Sequence, residues 1–293
     1  MPYARKQTPI RRNKNTAVKA YLFLAPSLLG VAAFVLIPFL DVIRRSFYEA
    51  MGGRFVGLKN YQTVLTNEAF HQAAFNTGRF LLTCIPLLLL LSFLVALCIQ
   101  GLCGSGEWFK TIFLTPMAIP VASIVLLWQL VFDEKGYLNQ ITAVFHLSPV
   151  DWMNGATAFY VLVFSYLWKN IGYDIILWLA GLNGISPALY EAARVDGAGR
   201  WQCFRYITLP ELRPTVFLIG VLSFVNSFKV FREAYLIAGD YPDSSIYMLQ
   251  HLFNNWFVSL DIQKMSAAAV LTALVITTFL LVVQHRNERN AED

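Results

Sequence analysis

Residues 191–197 read EAARVDG, and after nine further residues the chain reads ITLP at 207–210. Both stretches lie in a polar loop, residues 182–213, that joins two long apolar segments. Because apolar segments dominate the rest of the chain, this loop is the largest polar surface that is expected to face the cytoplasm. Such a loop is typical of a docking element for another protein, or of an amphipathic hairpin that only lies on lipid. Composition alone does not separate these two interpretations.

The loop is predicted to fold as two short helices with a turn between them. Ser186 followed by Pro187 is typical of a helix start, because serine suits the N-cap and proline the first helical position. Gly197 ends this helix, since glycine adopts the backbone conformations that a tight reversal needs. A second short helix is expected over residues 200–206, and it should end there because Pro210 pushes the preceding residue out of the α region.

Composition places the chain in a membrane. Of its 293 residues, 57% are hydrophobic and 14% are charged, and the mean hydropathy is +0.52. Soluble domains carry about 25% charged residues. Apolar segments of about the length that crosses a bilayer occur at residues 20–40, 80–101, 111–132, 156–180, 214–238 and 265–284. The predicted fold class is an all-α polytopic membrane protein with six transmembrane helices, of which the third should be bent by Pro116 and Pro120.

One transmembrane domain, residues 21–284, is expected between a basic tail at 1–20 and a short tail at 285–293. Six spans put both tails and the 182–213 loop on one side, which then carries thirteen of the 23 Lys and Arg residues. The positive-inside rule makes that side cytoplasmic. A basic tail beside a span is typical of membrane orientation, so no nucleic-acid partner is expected.

No pattern of catalytic or metal-binding residues stands out in the sequence. The phosphate-binding pattern G-x-x-x-x-G-K-[ST] does not occur, and the four histidines are scattered without metal-ligand spacing. The four cysteines are interpreted as small apolar residues rather than as disulfide or metal ligands; they are Cys84, Cys98, Cys103 and Cys203. The chain is therefore not expected to be an enzyme, and we assign it no catalytic residue and no metal.

Several polar side chains lie at membrane depth in the fourth and fifth predicted spans. Ionisable groups are costly there, so they usually face a bundle interior or a water-filled cavity. A sugar would need such donors and acceptors together with an aromatic face. The candidate substrate contacts are Trp168, Asn170, Asp174, Asn226 and Lys229.

Structural pairing is the alternative interpretation of these polar residues. Lys229 and Glu233 are four residues apart, a spacing at which side chains on one helix meet. Lys169 would pair with Asp174 or with a partner subunit. In either case the charges would be neutralised without any contact to a substrate.

The spacing E-A-A-x3-G-x9-I-x-L-P resembles the EAA loop of the membrane subunits of ATP-binding-cassette importers, and its seven fixed positions match without a gap. In that family the short helices of the loop insert into a cleft on the ATPase subunit, and the glutamate and glycine are most closely tied to coupling. The ATPase-coupling residues that the resemblance implies are Glu191, Ala192, Ala193, Asp196, Gly197, Ile207, Leu209 and Pro210.

The resemblance extends to carbohydrate-type permeases of the maltose and glycerol-phosphate kind. The stretches that carry it are LAP at 24–26, IP at 37–38, VGLKNY at 56–61, WKNIG at 168–172 and SFKVF at 227–231. The opening span looks like that of the first-named permease of such pairs. One departure is visible, because AGDYP at 238–242 stands where many relatives have Gly-Gly-Pro. Substrate identity is therefore not carried over.

What the resemblance implies is a MetI-like permease fold in the bacterial plasma membrane and import of a sugar or related polyol by alternating access. The implied partners are a second homologous permease, a pair of ATPase subunits, an extracytoplasmic solute-binding protein and membrane lipid. ATP and magnesium would be held by the ATPase subunits, so no cofactor is expected in this chain. The alternatives are a non-transporting scaffold and an ion-coupled secondary transporter that uses Asp174 and Glu233 as ion sites; the EAA spacing favours neither.

Overall fold

The computed structural model describes residues 14–49, 53–101, 106–239 and 241–292, without side chains at 14–20, 106–110, 156, 236–238 and 290–292. Helix accounts for 81% of the chain, and the described part contains no β-strand. An isolated β-bridge joins Tyr48 and Phe55. The all-α class expected from the sequence is therefore confirmed. Residues 1–13, most of the predicted basic tail, lie outside the described residues, as does Cys103.

The described part of the chain is built from α-helices. They are α1 (Lys14–Val31), α2 (Ile37–Arg45), α3 (Lys59–Leu65), α4 (Glu68–Gln100), α5 (Gly106–Ala118), α6 (Val121–Phe132), α7 (Tyr137–Val144), α8 (Ala158–Gly184), α9 (Pro187–Val195), α10 (Arg200–Cys203), α11 (Leu209–Glu211), α12 (Arg213–Ser227), α13 (Phe231–Ala238), α14 (Leu249–Val258) and α15 (Ile262–Glu292). Turns of π-helix at Ala32–Leu36 and Phe204–Thr208, and 3₁₀ turns at Gly155–Thr157 and Phe228–Val230, continue the helices beside them.

Within the described residues, four helices are long and apolar enough to cross a membrane. They are Tyr21–Arg45, Glu68–Gln100, Arg213–Tyr235 and Ile262–Arg289. Two bent pairs also qualify, Thr111–Ala118 with Val121–Val144 and Ala158–Gly184 with Pro187–Val195, with bends of 98° and 56°. Counting each bent pair as one span gives six.

The helix of the second span begins well before the apolar stretch that predicts the span. The helix starts at Glu68, where the Asn67 side chain accepts a hydrogen bond from the Phe70 amide at 3.0 Å. Asparagine is a good N-cap and an acidic first turn suits the helix dipole. Hydropathy detects only the part of this helix that lies in lipid, whereas the cap sets where the helix starts.

The third span is broken rather than gently bent. Helix α5 ends at Ala118, and α6 begins at Val121 with Pro120 as its N-cap in an extended conformation (ψ 140°). Proline has no amide hydrogen and disfavours the α region for the residue before it, here Ile119. Pro116 is accommodated inside α5, so Pro120 causes the break.

The structure divides into two compact units, of which the smaller comprises Met1–Val64 and Asp261–Thr272. Inside it, the buried Asn60 side chain donates hydrogen bonds to the carbonyls of Ser46 and Tyr48, both at 2.9 Å. The hydroxyls of Ser46 and Tyr61 lie 2.6 Å apart. The VGLKNY stretch at 56–61 therefore serves to fasten α3 to the end of α2.

The larger unit, Leu65–Leu260 and Ala273–Asp293, is built around α8. One buried apolar cluster includes Phe80, Cys84 and Leu88 of α4 with Phe159 and Leu162 of α8. A second cluster lies further along the same two helices and adds α12; we call it the loop-side cluster, and its buried members are Ala96, Ile99, Ile175, Trp178, Leu179, Leu182, Ile185, Leu212 and Ile219.

Buried polar contacts fasten α8 to α4, α6 and α12. The indole of Trp178 donates to the Ser92 hydroxyl on α4 at 3.0 Å, and the Tyr166 hydroxyl donates to the Ser223 carbonyl on α12 at 2.9 Å. The indole of Trp128 on α6 donates to the Ser165 hydroxyl at 2.7 Å. Helix α8 is therefore the central helix of this unit.

Gly172 allows helices α5 and α8 to approach each other closely. A Cβ atom placed on Gly172 would lie 1.8 Å from the carbonyl oxygen of Phe113 on α5. A change in the side-chain conformation of Phe113 could not relieve this clash, because the clashing oxygen belongs to the backbone. Close contact between α5 and α8 therefore requires glycine at this position.

We expect Gly172→Ala to lower the thermal unfolding temperature of the detergent-solubilised protein, because the added methyl group forces α5 from α8. Overpacking of this kind costs about 1–3 kcal/mol. Gly220→Ala is the matched control, since a Cβ there meets no atom within 4 Å, and alanine in a helix is more stable than glycine by about 0.5–1 kcal/mol. Equal unfolding temperatures for Gly172→Ala and the wild type would contradict the close contact.

Candidate coupling loop and membrane cavity

The first half of the polar loop folds as helix and turn. Helix α9 starts at Pro187, with Ser186 in the N-cap position but without a side-chain capping hydrogen bond. The helix ends where Gly197 adopts a φ of +81°, in the left-handed region. The Ala198 amide then bonds back to the Ala193 carbonyl at 2.9 Å. This is a common helix C-terminal motif, and it needs glycine because a Cβ atom disfavours that backbone conformation.

The second half of the loop differs from the sequence-based expectation. The helix that begins with α10 does not end at Tyr206 but continues through the π turn and α11, and Leu209 keeps α-helical angles (φ −63°, ψ −44°). The expectation that Pro210 would end the helix was wrong. In the π turn the Leu209 amide bonds to the Phe204 carbonyl, five residues back. This wider turn accommodates a proline that an ordinary α-helical turn would exclude.

The motif residues divide between an outer and an inner face of the loop. Glu191, Ala192, Asp196 and Gly197 are exposed. Ile207 is partly buried and packs against the loop-side cluster. Leu209 is 41% exposed, and Ala193 and Pro210 are half-buried. The face that carries Glu191 is therefore free to receive another protein, while Ile207 fixes the loop to the membrane helices.

A hydrogen bond between two side chains braces the two halves of the loop. The hydroxyls of Tyr190 on α9 and Thr208 on the π turn lie 2.9 Å apart. Tyr190 also packs against the loop-side cluster. Neither residue belongs to the motif, and the sequence analysis missed both. Their one signal in the sequence is position, since each directly precedes a motif residue and so lies about 100° around the helix from it.

A row of aromatic rings leads from the loop into the membrane helices. Trp201, 69% exposed, stacks on Phe204 with ring centres 5.6 Å apart. Phe204 stacks on Phe93 of α4 at 6.3 Å, and Phe93 contacts Trp178 of α8 at 4.7 Å. These rings come from three separate segments, so no local pattern in the sequence predicts their contact. They give the loop a stiff attachment to α4 and α8.

A cavity of about 390 Å³ lies at membrane depth in the larger unit. The broken third span, α8 and the fifth span surround it. The lining residues are Met117, Ala118, Ile119, Pro120, Val121, Tyr166, Lys169, Asn170, Asn226, Lys229, Val230, Arg232 and Glu233. Its volume falls within the range of about 300–1,000 Å³ that is typical of small-molecule sites.

An ion pair in the cavity wall joins two spans. The Lys169 ammonium donates to Glu233 Oε1 at 2.5 Å, with side chains 18% and 7% exposed. The Lys229–Glu233 and Lys169–Asp174 pairings considered from the sequence were wrong. Lys229 donates instead to the Asn226 side-chain carbonyl at 2.7 Å, and Asp174 accepts from the Ser223 hydroxyl at 2.9 Å. The 3₁₀ turn Phe228–Val230 changes the helical register, so residues 229 and 233 no longer stack as on a regular helix.

Three of the five candidate substrate contacts, Asn170, Asn226 and Lys229, line the cavity. Two lie elsewhere. Trp168 packs edge-on against Trp128, with ring centres 5.2 Å apart, and Asp174 is 2% exposed and bound to Ser223. Lys169, Arg232 and Glu233, which also line the cavity, were not among the candidate substrate contacts. The helix break and the 3₁₀ turn bring them to the cavity; the prolines predicted a bend in the third span, but the 3₁₀ turn has no signal in the sequence.

The loop after the fifth span is held to the second span. The Asn76 side chain on α4 donates to the carbonyls of Ser244 and Tyr247 at 2.7 and 2.9 Å. Asp243 accepts a hydrogen bond from the Ser245 amide, which lowers the pKa of its carboxyl. Asp240, part of the departure at 238–242, lies outside the described residues.

Among the residues with described side chains, no group of three or more histidine, cysteine or acidic residues could hold a metal ion. Cys84, Cys98 and Cys203 are free thiols, and Cys84 and Cys203 are buried as expected while Cys98 is exposed.

The fold and the sequence both have known relatives. Similar proteins include the trehalose/maltose transport system permease protein MalF of Thermococcus litoralis, 30% identical over 89% of this chain and 91% of the relative. The arabinooligosaccharides transport system permease protein AraP of Bacillus subtilis is 33% identical over 74% of this chain and 71% of the relative. The fold matches a chain in the crystal structure of a bacterial alginate ABC transporter in complex with alginate pentasaccharide-bound periplasmic protein, with a TM-score of 0.81, 23% identity and coverage of 94% and 96%.

Residues 105–292 match the protein family described as binding-protein-dependent transport system inner membrane component. The match covers the broken third span, the cavity and the whole polar loop. It agrees with the MetI-like permease fold and the inner-membrane location that the sequence predicts. Members of this family are transport components rather than enzymes. The chain therefore belongs to the family of binding-protein-dependent transport system inner membrane components, and within it to the permeases of sugar ABC transporters.

Proposed function

We propose that this chain is one permease subunit of an ATP-driven importer that carries a sugar or related polyol across the plasma membrane by alternating access. Its partners would be a second, homologous permease, a pair of ATPase subunits that hold ATP and magnesium, and an extracytoplasmic solute-binding protein. Both termini and the polar loop would lie in the cytoplasm, as the distribution of Lys and Arg predicts.

The observation that carries this proposal is the geometry of the polar loop. Glu191 is exposed on an outer face with small neighbours, and the inner face is fixed by Ile207 and by the Tyr190–Thr208 contact. A loop that transmits force must be accessible to its partner and rigidly attached to the helices that it moves. ATP drives transport only by favouring one state of the ATPase pair. The loop would carry that preference to the membrane helices.

The names of relatives support a carbohydrate as the substrate class. The two relatives described above are named for trehalose/maltose and for arabinooligosaccharides, and a third, LacF of Rhizobium radiobacter, is named for lactose. The cavity fits this class, since amide, hydroxyl and charged groups line it together with the ring of Tyr166. Asn170, Asn226 and Lys229 would contact the substrate.

Ion-coupled transport is not favoured. Such a mechanism would need Asp174 or Glu233 to exchange an ion. Glu233 is bound to Lys169 at 2.5 Å and Asp174 accepts the Ser223 hydroxyl at 2.9 Å. Both carboxylates thus already have partners that join spans, which fits a structural role. The family relationship also points to an ABC importer.

Glu191→Arg should release the ATPase from the complex, because it reverses the charge at the centre of the exposed face. Purification of the tagged chain from a membrane that contains all subunits should then recover the second permease without the ATPase. Glu211→Arg is the matched control, since Glu211 is also exposed on the loop but lies outside the motif. A Glu191→Arg chain that retains the ATPase and full uptake would contradict the coupling role.

Tyr190→Phe should lower the solute transported per ATP hydrolysed while leaving the ATPase bound, because it removes the bond between the two halves of the loop. A hydrogen bond of this kind contributes about 1 kcal/mol, which is about a fivefold change in an equilibrium constant. We expect the solute transported per ATP hydrolysed to fall by about the same factor. Reconstituted transporter would be assayed for uptake and hydrolysis together. Thr208→Val should lower the solute transported per ATP to a similar extent, and the double variant should lose no more than either single variant. Tyr206→Phe, at an exposed site, should have no effect. Full coupling in Tyr190→Phe would show that the brace is dispensable.

A further inference from the structure

The charges that line the membrane cavity do not balance. Three cationic side chains, Lys169, Lys229 and Arg232, face a single carboxylate, Glu233. The charges of Lys169 and Glu233 cancel, because the two side chains form an ion pair. Among the described residues, neither Lys229 nor Arg232 forms a salt bridge. The one contact of the Lys229 ammonium that the structure shows is to the neutral amide of Asn226. The cavity thus keeps two positive charges.

Uncompensated charge at membrane depth is unfavourable unless a counter-charge is supplied. Asp174, the acidic residue of α8, does not line the cavity, and its carboxylate is bound to Ser223. Lys229 and Arg232 are both exposed rather than buried in the wall. Their charged ends are therefore accessible to a ligand that carries negative charge.

One acceptor in the cavity wall also has no partner in the described part of the chain. Glu233 Oε2 is buried and forms no hydrogen bond there, although its other oxygen binds Lys169. Glu233 is 5% exposed, and it lines the cavity. A carboxylate oxygen only accepts hydrogen bonds, so it suits a hydroxyl group of the ligand.

The break in the third span adds donors and acceptors from the backbone. Helix α6 begins at the cavity with Pro120 and Val121, and its N-cap provides no side-chain hydrogen bond. The Ser123 amide bonds to the Pro120 carbonyl at 3.0 Å, so the amides of Val121 and Ala122 remain as donors. The carbonyl end of α5, at Met117 and Ala118, lies in the same wall and offers acceptors. A polyhydroxylated ligand can use both.

We propose that the cavity selects an acidic saccharide, a sugar that carries a carboxylate, sulfate or phosphate group. The anionic group lies between Lys229 and Arg232, and a sugar hydroxyl donates to Glu233 Oε2. This inference rests on the proposed import of a sugar and specifies its charge. A neutral sugar would leave both cations without a counter-charge, so the two residues act as determinants of specificity.

The test uses the complete transporter, with its partner permease, ATPase and solute-binding protein, reconstituted in liposomes. The probes are matched pairs that differ in charge: oligogalacturonate and its methyl ester, a glucuronate-containing disaccharide and its glucose counterpart, and a maltose phosphate and maltose. Uptake kcat/KM is measured for both members of each pair. We expect the charged member to be preferred in every pair that is transported.

Lys229→Gln combined with Arg232→Gln should reduce that preference about tenfold or more, as expected for the loss of charge-assisted hydrogen bonds. Lys229→Arg keeps the charge and should keep the preference. The matched control is Arg54→Gln combined with Lys59→Gln, which removes two exposed cations from another segment and should change nothing.

Two results would overturn the inference: better uptake of the neutral members, or an unchanged preference in the double variant of the cavity. Both leave the proposed function intact, because the transporter still works. A complex in which no ATPase co-purifies and ATP drives no uptake would contradict the proposed function itself, and the specificity inference with it.

Discussion

Polar side chains inside a membrane must find partners, and in this protein those partners hold the spans together. Helix α8 carries most of them. Lys169 binds Glu233 of the fifth span, Asp174 accepts from Ser223 of α12, and the indole of Trp178 donates to Ser92 of α4. Apolar contacts between helices are no stronger than contacts with lipid, so these specific bonds and close glycine contacts set the packing.

The central place of α8 also connects the loop to the cavity. Near the middle of this helix Lys169 and Asn170 line the cavity, and one residue after its end Ile185 belongs to the loop-side cluster. The row of rings from Trp201 to Trp178 attaches the loop at a second point. A displacement of the loop therefore acts on the same helix that forms the cavity wall. A rigid element shared by two sites is the physical basis for coupling between them.

Local chemistry explains which features the sequence could predict. The membrane class follows from composition, and the first loop helix and its turn follow from Pro187 and Gly197, whose effects depend on the residue itself. The end of the second loop helix was mispredicted, because the π turn before Pro210 depends on how neighbouring residues pack. The partner of Glu233 was mispredicted for a similar reason. A 3₁₀ turn changes the direction of a side chain without any signal in the hydropathy pattern.

Two departures from regular helix define the cavity: the break in the third span, where the sequence predicted only a bend, and a 3₁₀ turn in the fifth span, which it did not predict. The break at Ile119 and Pro120 and the 3₁₀ turn at Phe228–Val230 both contribute to its lining. In a bilayer, non-helical backbone is tolerated only where it is buried in protein or lines a wet cavity, because unpaired amides and carbonyls are otherwise too costly. In the described chain, irregular backbone of two neighbouring spans lines one polar cavity. The same irregularity supplies backbone groups that the proposed sugar ligand would use, so the proposed site and the departure from regular helix would have one physical cause.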